Sequence, residues 1–366
     1  MLLNGRIVLI EDEKILIIGF ITSFLVVLLA TPALIKVANA KKLFDEPDDK
    51  RKLHKTNTPS VGGIIIFAAT LFSYALWFPS EQISGQILIN SDLKYIVATL
   101  LILFFIGIKD DIIGTAPVKK LIGHFIVGLI LVTMADIRLT SMHGLFGIKE
   151  IPEWASIFLS LFTYIVISNA FNLIDGVDGL AAGIGLIVCV SFGIWFFIAG
   201  ELTYASLAFA LGGSLLAFLI FNFSPAKIFM GDSGALIIGL IVSILAIKLI
   251  EFPKHHLPDE LLGLSKPVFA IAVLMYPLLD TLRVFILRSV KGQSPFSPDN
   301  KHLHHRLLKI GLSQGKVALV LYSANILIIT IAVFTSGVEP SICLYIVCGA
   351  AILISQIPFF IKKKLD

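Results

Sequence analysis

Apolar residues in this chain fall in runs long enough to cross a bilayer, broken by short polar stretches. A helix needs about 20 apolar residues to span the hydrocarbon core. Eleven runs qualify, near 15–37, 61–79, 94–108, 119–136, 154–174, 180–199, 203–222, 233–251, 266–288, 316–335 and 341–361. The third is the shortest in apolar count. The longest polar stretches are 38–60 and 289–315, and no segment reads as a soluble domain. The pattern predicts an all-α, polytopic membrane helix bundle of about eleven transmembrane helices, one integral membrane domain over residues 1–366. Val37-Ala-Asn-Ala40 imitates a signal-peptidase site. However, the run before it is longer than a secretory core and follows Glu11, Asp12 and Glu13 rather than a basic segment. It is expected to persist as the first span.

Composition agrees. Of 366 residues 57% are hydrophobic and only 15% charged, against about 25% charged in soluble domains. Cys189, Cys343 and Cys348 lie in apolar runs without metal-ligand spacing, which reads as packing thiols. Charge sets the orientation. With the N-terminus outside, 21 Lys and Arg fall in or beside inner loops and 8 in outer ones, the bias of the positive-inside rule. An odd number of spans then leaves the basic C-terminus cytoplasmic. Loops 38–60, 109–118, 169–180, 222–232 and 289–315 share the cytoplasmic face, and they hold the polar residues with chemical promise. Outer loops such as 80–93 and 252–265 read as plain connectors, although 138–153 and 252–265 leave re-entrant or interfacial arrangements open.

Asn169-Ala-Phe-Asn-Leu-Ile-Asp-Gly-Val-Asp-Gly-Leu-Ala-Ala-Gly183 is the most unusual stretch. Asn169, Asn172, Asp175 and Asp178 recur every third residue, neighbours on a helix face. Gly176 and Gly179 are expected to bend the backbone so that the groups converge. Carboxylates beside a bilayer are expensive and imply a partner.

Asp110-Asp111 stands at the end of a span. Adjacent carboxylates repel, and either a divalent cation, a shared proton or simple solvation beside Lys109, Lys119 and Lys120 relieves that. Asn222-Phe-Ser-Pro-Ala-Lys-Ile-Phe-Met-Gly-Asp-Ser-Gly-Ala235 precedes another span. There Asp232 reads as a helix N-cap or a ligand, and Phe229 as core or a surface for a base. His302-Leu-His-His-Arg306 gathers three of eight histidines, which suit metal or phosphate oxygens. His54 and Lys55, before Pro59 and Gly62-Gly63, could hold a phosphate or nucleotide. The lone His124, His143, His255 and His256 read as structural or solvated. Carboxylates and cations on one membrane face suggest metal-assisted phosphoryl transfer with a lipid substrate.

These motifs resemble the polyprenyl-phosphate N-acetylhexosamine-1-phosphate transferases. The resemblance runs from about His54 to Leu307 and rests on 169–181, Phe229-Met-Gly-Asp-Ser-Gly234, Asp110-Asp111 and His302-Leu-His-His-Arg-Leu307. The last run is similar to the undecaprenyl-phosphate GlcNAc-1-phosphate transferase branch, rather than the phospho-MurNAc-pentapeptide transferase branch with its His-His-His-Phe-Glu type run. The resemblance implies transfer of GlcNAc 1-phosphate from UDP-GlcNAc to undecaprenyl phosphate with release of UMP, starting a cell-envelope glycan. It implies Mg²⁺, replaceable by Mn²⁺, on Asp232 with Asn172 at the metal side. Asp110 or Asp111 would deprotonate or position the lipid phosphate, with Asp175 and Asp178 also in the catalytic set. Asn169, Asn172, Asn222 and Phe229 would serve the nucleotide and diphosphate, His302, His304, His305 and Arg306 the diphosphate and sugar, and Lys55 the substrate. Some members carry a further acid where Gly114 stands here. The expected setting is the inner (plasma) membrane, multi-pass, with a cytoplasmic active site, membrane lipid contacts, no nucleic acid and a homodimer as in relatives. A secondary transporter is the reading from another class. It requires polar groups near the bilayer midplane and an internal repeat, and no repeat is visible.

Overall fold

The computed structural model describes residues 10–41, 43, 58–79, 92–292 and 301–361, plus the backbone of two short hairpins, Leu2–Leu3 with Arg6–Ile7 and Glu81–Ile83 with Gln86–Leu88. Helices dominate: α1 Ile10–Ala40, α2 Gly62–Leu76, α3 Asp92–Ile113, α4 Pro117–Leu129, α5 Glu153–Ile174, α6 Leu180–Ile198 and α7 Leu202–Asn222. They continue with α8 Gly231–Glu251, the short α9 Asp259–Leu262, α10 Lys266–Val273, α11 Met275–Val290, α12 Leu303–Ile310, α13 Gln314–Phe334 and α14 Pro340–Phe360. Every expected apolar run falls on a helix or helix pair. Among the described residues eight helices are long and apolar enough to cross a membrane, or nine with α10 and α11 as one bent span. The chain is a polytopic helical membrane protein. The two expected spans outside that set are α2, with 15 residues, and α3, which carries charge at both ends.

α8 is the axis of the bundle: 94% of its apolar stretch is buried, against 22% for α14. It packs against α2, α3, α5, α6, α7 and α10. A helix apolar on every side belongs in the middle, and α8 has only Asp232 and Lys248 and Glu251 as charged residues, near its ends. Peripheral helices turn Phe105, Phe158, Phe334 and Phe360 outward, a surface suited to lipid rather than water.

The run 266–288 departs from the expected single span. It breaks at Leu274 into α10 and α11, bent by 74°. The cause is local. Pro277 has no N–H, so the carbonyl of Val273, four residues earlier, loses its helical donor. Asn325, fully buried in α13, takes over: its Nδ2 donates to Val273 O at 3.0 Å and its Oδ1 accepts from Tyr276 N–H at 3.0 Å. One carboxamide thus satisfies both sides of the break.

The glycine bend expected between Asn169 and Asp178 is present. α5 ends at Ile174, α6 starts at Leu180, and Gly179 turns the chain at φ +76°.

Candidate active site

The ends of α3, α5 and α7 and the starts of α4, α6 and α8 gather at one end of the bundle. The head of α8 is set by Gly231, whose φ of +73° suits glycine and whose absent Cβ would lie 2.7 Å from Asp111 Oδ1. That space is filled by the Asp111 carboxylate. It accepts from Asp232 N–H at 2.6 Å, Ser233 N–H at 3.1 Å and Ser233 Oγ–H at 2.6 Å. Asp111 of α3 therefore satisfies the free N–H groups at the start of α8, where an anion is also favoured by the helix dipole. The reading of Asp232 as the N-cap is corrected: Asp232 is the second helical residue, and the cap arrives from another helix.

This releases the Asp232 side chain. Its Oδ1 accepts from Asn172 Nδ2 at 2.8 Å, and its Oδ2 from the Lys120 ammonium. Lys120 also donates to Asp110 Oδ2 at 3.2 Å. Lys120, expected only to balance the acidic pair from a solvated loop, thus bridges Asp110 and Asp232. A signal for it was available. α3 and α4 form a helical hairpin around the turn at 114–116, and Asp110 and Lys120 each lie five residues from Thr115. Residues equidistant from such a turn face each other. One turn beyond Lys120, His124 is buried with Nδ1 3.1 Å from Tyr164 Oη, a structural place as expected.

Asp175 caps the end of α5 beside this cluster. Loss of water, then the charges of Asp232, Asp111 and Asp178, hold its carboxyl well above the usual carboxylate range. Asp178 and Asn222 tie segments together. Asp178 Oδ2 accepts from Ala226 N–H at 3.0 Å, and its N–H donates to Gln314 Oε1 at 3.1 Å. Asn222 Oδ1 accepts from Gly179 N–H at 3.1 Å, and Nδ2 donates to Ile228 O at 2.9 Å. They hold the turn 175–179 to the loop 223–230 and to α13. Asn169 donates to Ile165 O at 2.8 Å, back along its own helix. Phe229 is half-buried. Its N–H donates to Pro59 O at 2.8 Å and its carbonyl accepts from Gly62 N–H at 3.0 Å, which joins the entrance of α2 to the head of α8. Lys55 and His54 lie outside the described residues.

α12 brings its histidines to the same end. His302 Nδ1 lies 2.9 Å from Asp280 Oδ2, and Asp280 Oδ1 accepts from Leu303 N–H at 2.8 Å. Asp280, wholly buried in α11, both orients His302 and caps α12. It was missed in the sequence, although a lone acid within an apolar run is itself a signal. His304 is buried, and burial pushes it down to about 3. Its Nε2 stands 3.1 Å from where a Cβ on Gly176 would be, so its ring abuts the turn between Asp175 and Asp178. The ring centroids of His304 and His305 are 4.3 Å apart.

Arg306 is not in this group. Its Nε donates to Pro358 O at 3.1 Å, Nη2 donates to Ile361 O at 3.2 Å, and the guanidinium sits over Phe359. It docks α12 onto the end of α14, which leaves the expected diphosphate contact without geometric support. Arg306→Ala is expected to change turnover less than about fivefold, whereas His304→Ala should lower it about 100-fold, the scale of a lost polar contact to a reacting group. Initial rates of the two purified variants check this, and equal losses would restore Arg306 to the site.

Among the described residues no three His, Cys, Asp or Glu side chains form a ready-made metal cage. The donor set still suits Mg²⁺, which binds through one or two carboxylates and otherwise takes water and substrate phosphates. Asp110 and Asp232 already share one cation, the Lys120 ammonium.

A polytopic helical membrane protein with acids, amides and histidines clustered at one end is the class that fold and site define. The glycosyl transferase family 4 model matches residues 93–250. The chain is 34% identical over 287 residues to the decaprenyl-phosphate N-acetylglucosaminephosphotransferase of Mycobacterium tuberculosis, covering 75% of this chain and 71% of that protein. It is 33% identical over 320 residues to a probable undecaprenyl-phosphate N-acetylglucosaminyl 1-phosphate transferase of Bacillus subtilis, covering 85% and 83%. It is 28% identical over 306 residues to the undecaprenyl-phosphate alpha-N-acetylglucosaminyl 1-phosphate transferase of Escherichia coli K12, covering 81% and 78%. The chain belongs to glycosyl transferase family 4.

Proposed function

We propose that this protein transfers N-acetylglucosamine 1-phosphate from UDP-GlcNAc to a polyprenyl phosphate, with undecaprenyl phosphate as the expected acceptor. The single observation that carries the reading is the convergence of Asp110, Asp111, Asp175 and Asp232 from three distant segments, in a chain whose relatives are named for this transfer. A lipid phosphate oxygen attacks the β-phosphorus of the donor, the new P–O bond forms the lipid diphosphate, and UMP leaves.

Both reactants are anions, so the chain must offset their repulsion before attack. Lys120 supplies one positive charge between Asp110 and Asp232. Asp110 would take a proton from, or orient, the lipid phosphate. Asp111 serves indirectly, by holding the head of α8 so that the Asp232 side chain stays free to meet Lys120 and Asn172. His304 abuts the turn 175–179 with His302 stacked on its ring, and the two would donate to diphosphate oxygens. Asp232 and Asn172 would hold Mg²⁺, which when bound neutralises charge on the transferring phosphates. The same face is assigned to the cytoplasm of the plasma membrane, supported by the excess of Lys and Arg in its loops.

A transporter reading has less support. The acidic cluster sits at the head of α8, not half-way along it. The test is UMP release by purified protein given UDP-GlcNAc, undecaprenyl phosphate and Mg²⁺. EDTA should stop release and added Mg²⁺ should restore it. Turnover of UDP-GalNAc or UDP-MurNAc-pentapeptide in preference to UDP-GlcNAc would overturn the donor assignment.

A further inference from the structure

At the end of the bundle opposite the carboxylate cluster, loops 136–152 and 252–266 do not behave as connectors. They fold with the start of α14 around a cavity of about 1230 Å³. α8 links the two ends: Asp232 lies at one and Glu251 at the other, a helix of 21 residues, or about 30 Å. The loop 136–152 is strained, with Asp136, His143 and Phe146 at φ of 50–56°. Glu251 holds it, accepting from Thr140 N–H at 3.0 Å, from the Thr140 hydroxyl, and lying 3.1 Å from His143 Nε2.

The acids and the cations of this cavity are used differently. Glu251 is spent on the loop. Glu153 pairs with Arg138, and Glu339 caps α14 through Ile342 N–H. Glu150 is exposed at the rim. Lys266, by contrast, is only 8% exposed, and the one acceptor shown for its ammonium is the Phe252 carbonyl. An ammonium has three N–H donors, so two remain. Ser156, 1% exposed on α5, lines the cavity with no partner for its hydroxyl, and Ser265 Oγ beside Lys266 is equally unpaired. Lys149 and Lys254 stand exposed on the wall. Buried polar groups without partners are costly, and the deeply buried ones left over here, Lys266 and Ser156, can both donate. The remaining wall is partly apolar, with Phe252, Leu257 and Leu264.

We propose that this cavity is a second binding site, for a phosphate-bearing anion, with Lys266 and Ser156 as its inner donors. Phosphate supplies three or four acceptor oxygens and a further negative charge beside Lys266, in addition to that of Glu251, which is engaged with the loop. The same chemistry comes from an anionic phospholipid headgroup entering from the bilayer edge or from a soluble phosphate ester.

The test uses full-length, delipidated protein in detergent. Native mass spectrometry reads retention of phosphatidylglycerol, with zwitterionic phosphatidylcholine as the control, and calorimetry reads binding of glycerol phosphate. Wild type is expected to retain one phosphatidylglycerol, or to bind one glycerol phosphate, in preference to phosphatidylcholine. Lys266→Met should weaken this about tenfold or more, the loss of a charge-assisted contact. Ser156→Ala, which removes one oxygen and tests the site even if Lys266→Met misfolds, should weaken it about threefold. Dependence on these residues for the lipid alone names a headgroup site, and for glycerol phosphate alone a soluble ligand. Retention of phosphatidylcholine equal to phosphatidylglycerol, no binding of either phosphate source, or wild-type binding by a folded variant overturns the proposal. UMP release should persist in both variants, since the carboxylate cluster is at the other end of α8.

Discussion

Asp232→Ala is expected to lower UMP release at least about 10³-fold, the loss typical when a group that stabilises a transferring phosphate or its metal is removed. Its carboxylate is the one point in the site contacted from both α4 and α5, through Lys120 and Asn172. The fold should survive. Lys120 keeps its contact with Asp110 at 3.2 Å, and Asp175 loses a repelling neighbour. The thermal midpoint of the detergent-solubilised variant should therefore stay at or above that of wild type. Rates within tenfold of wild type, at saturating Mg²⁺ and both substrates, would sink the central role given to Asp232.

Asp111→Ala should fail for a different reason from its neighbour. Three donors at the head of α8 lose their acceptor, two of them backbone N–H groups with no helical alternative. Unpaired donors cost about 1–3 kcal/mol each, so a total near 3 kcal/mol is expected after water fills part of the gap. That should lower the thermal midpoint by about 4 °C, along with activity. Asp110→Ala removes side-chain contacts with Lys120 and Asp232 but no acceptor of a helix-start N–H, and should abolish transfer with little change in melting. The measurement is a pair of melting curves beside a pair of rates. Equal melting of the two variants would show that the acidic pair does not divide its labour in this way.

The two acids illustrate what could be read beforehand. Sequence alone marked Asp110-Asp111 as a charged pair at a span end, but not which one reaches across to α8. The roles of Lys120, read only as charge balance for the acidic pair, and of Asp280 went unseen for opposite reasons. One looked like an ordinary loop cation, and the other was hidden inside an apolar run by its neighbours. Arg306 was included because it adjoins histidines, yet it points to the end of α14. Adjacency in the chain says little about direction on a helix, where successive side chains point about 100° apart.

The amino-acid sequence by itself determined the class of protein, the helical runs, the motif that bends between α5 and α6, and the end at which chemistry collects. These follow from local quantities: apolar length against bilayer thickness, glycine's access to left-handed backbone, and the bias of Lys and Arg. Tertiary structure alone decided that Asp111 caps α8 while Asp232 is left free, that Asn325 of α13 repairs the break made by Pro277, and that two outer loops enclose a cavity. Each of those joins residues more than 40 positions apart, and a hydrogen bond between distant segments leaves no periodic trace in either one.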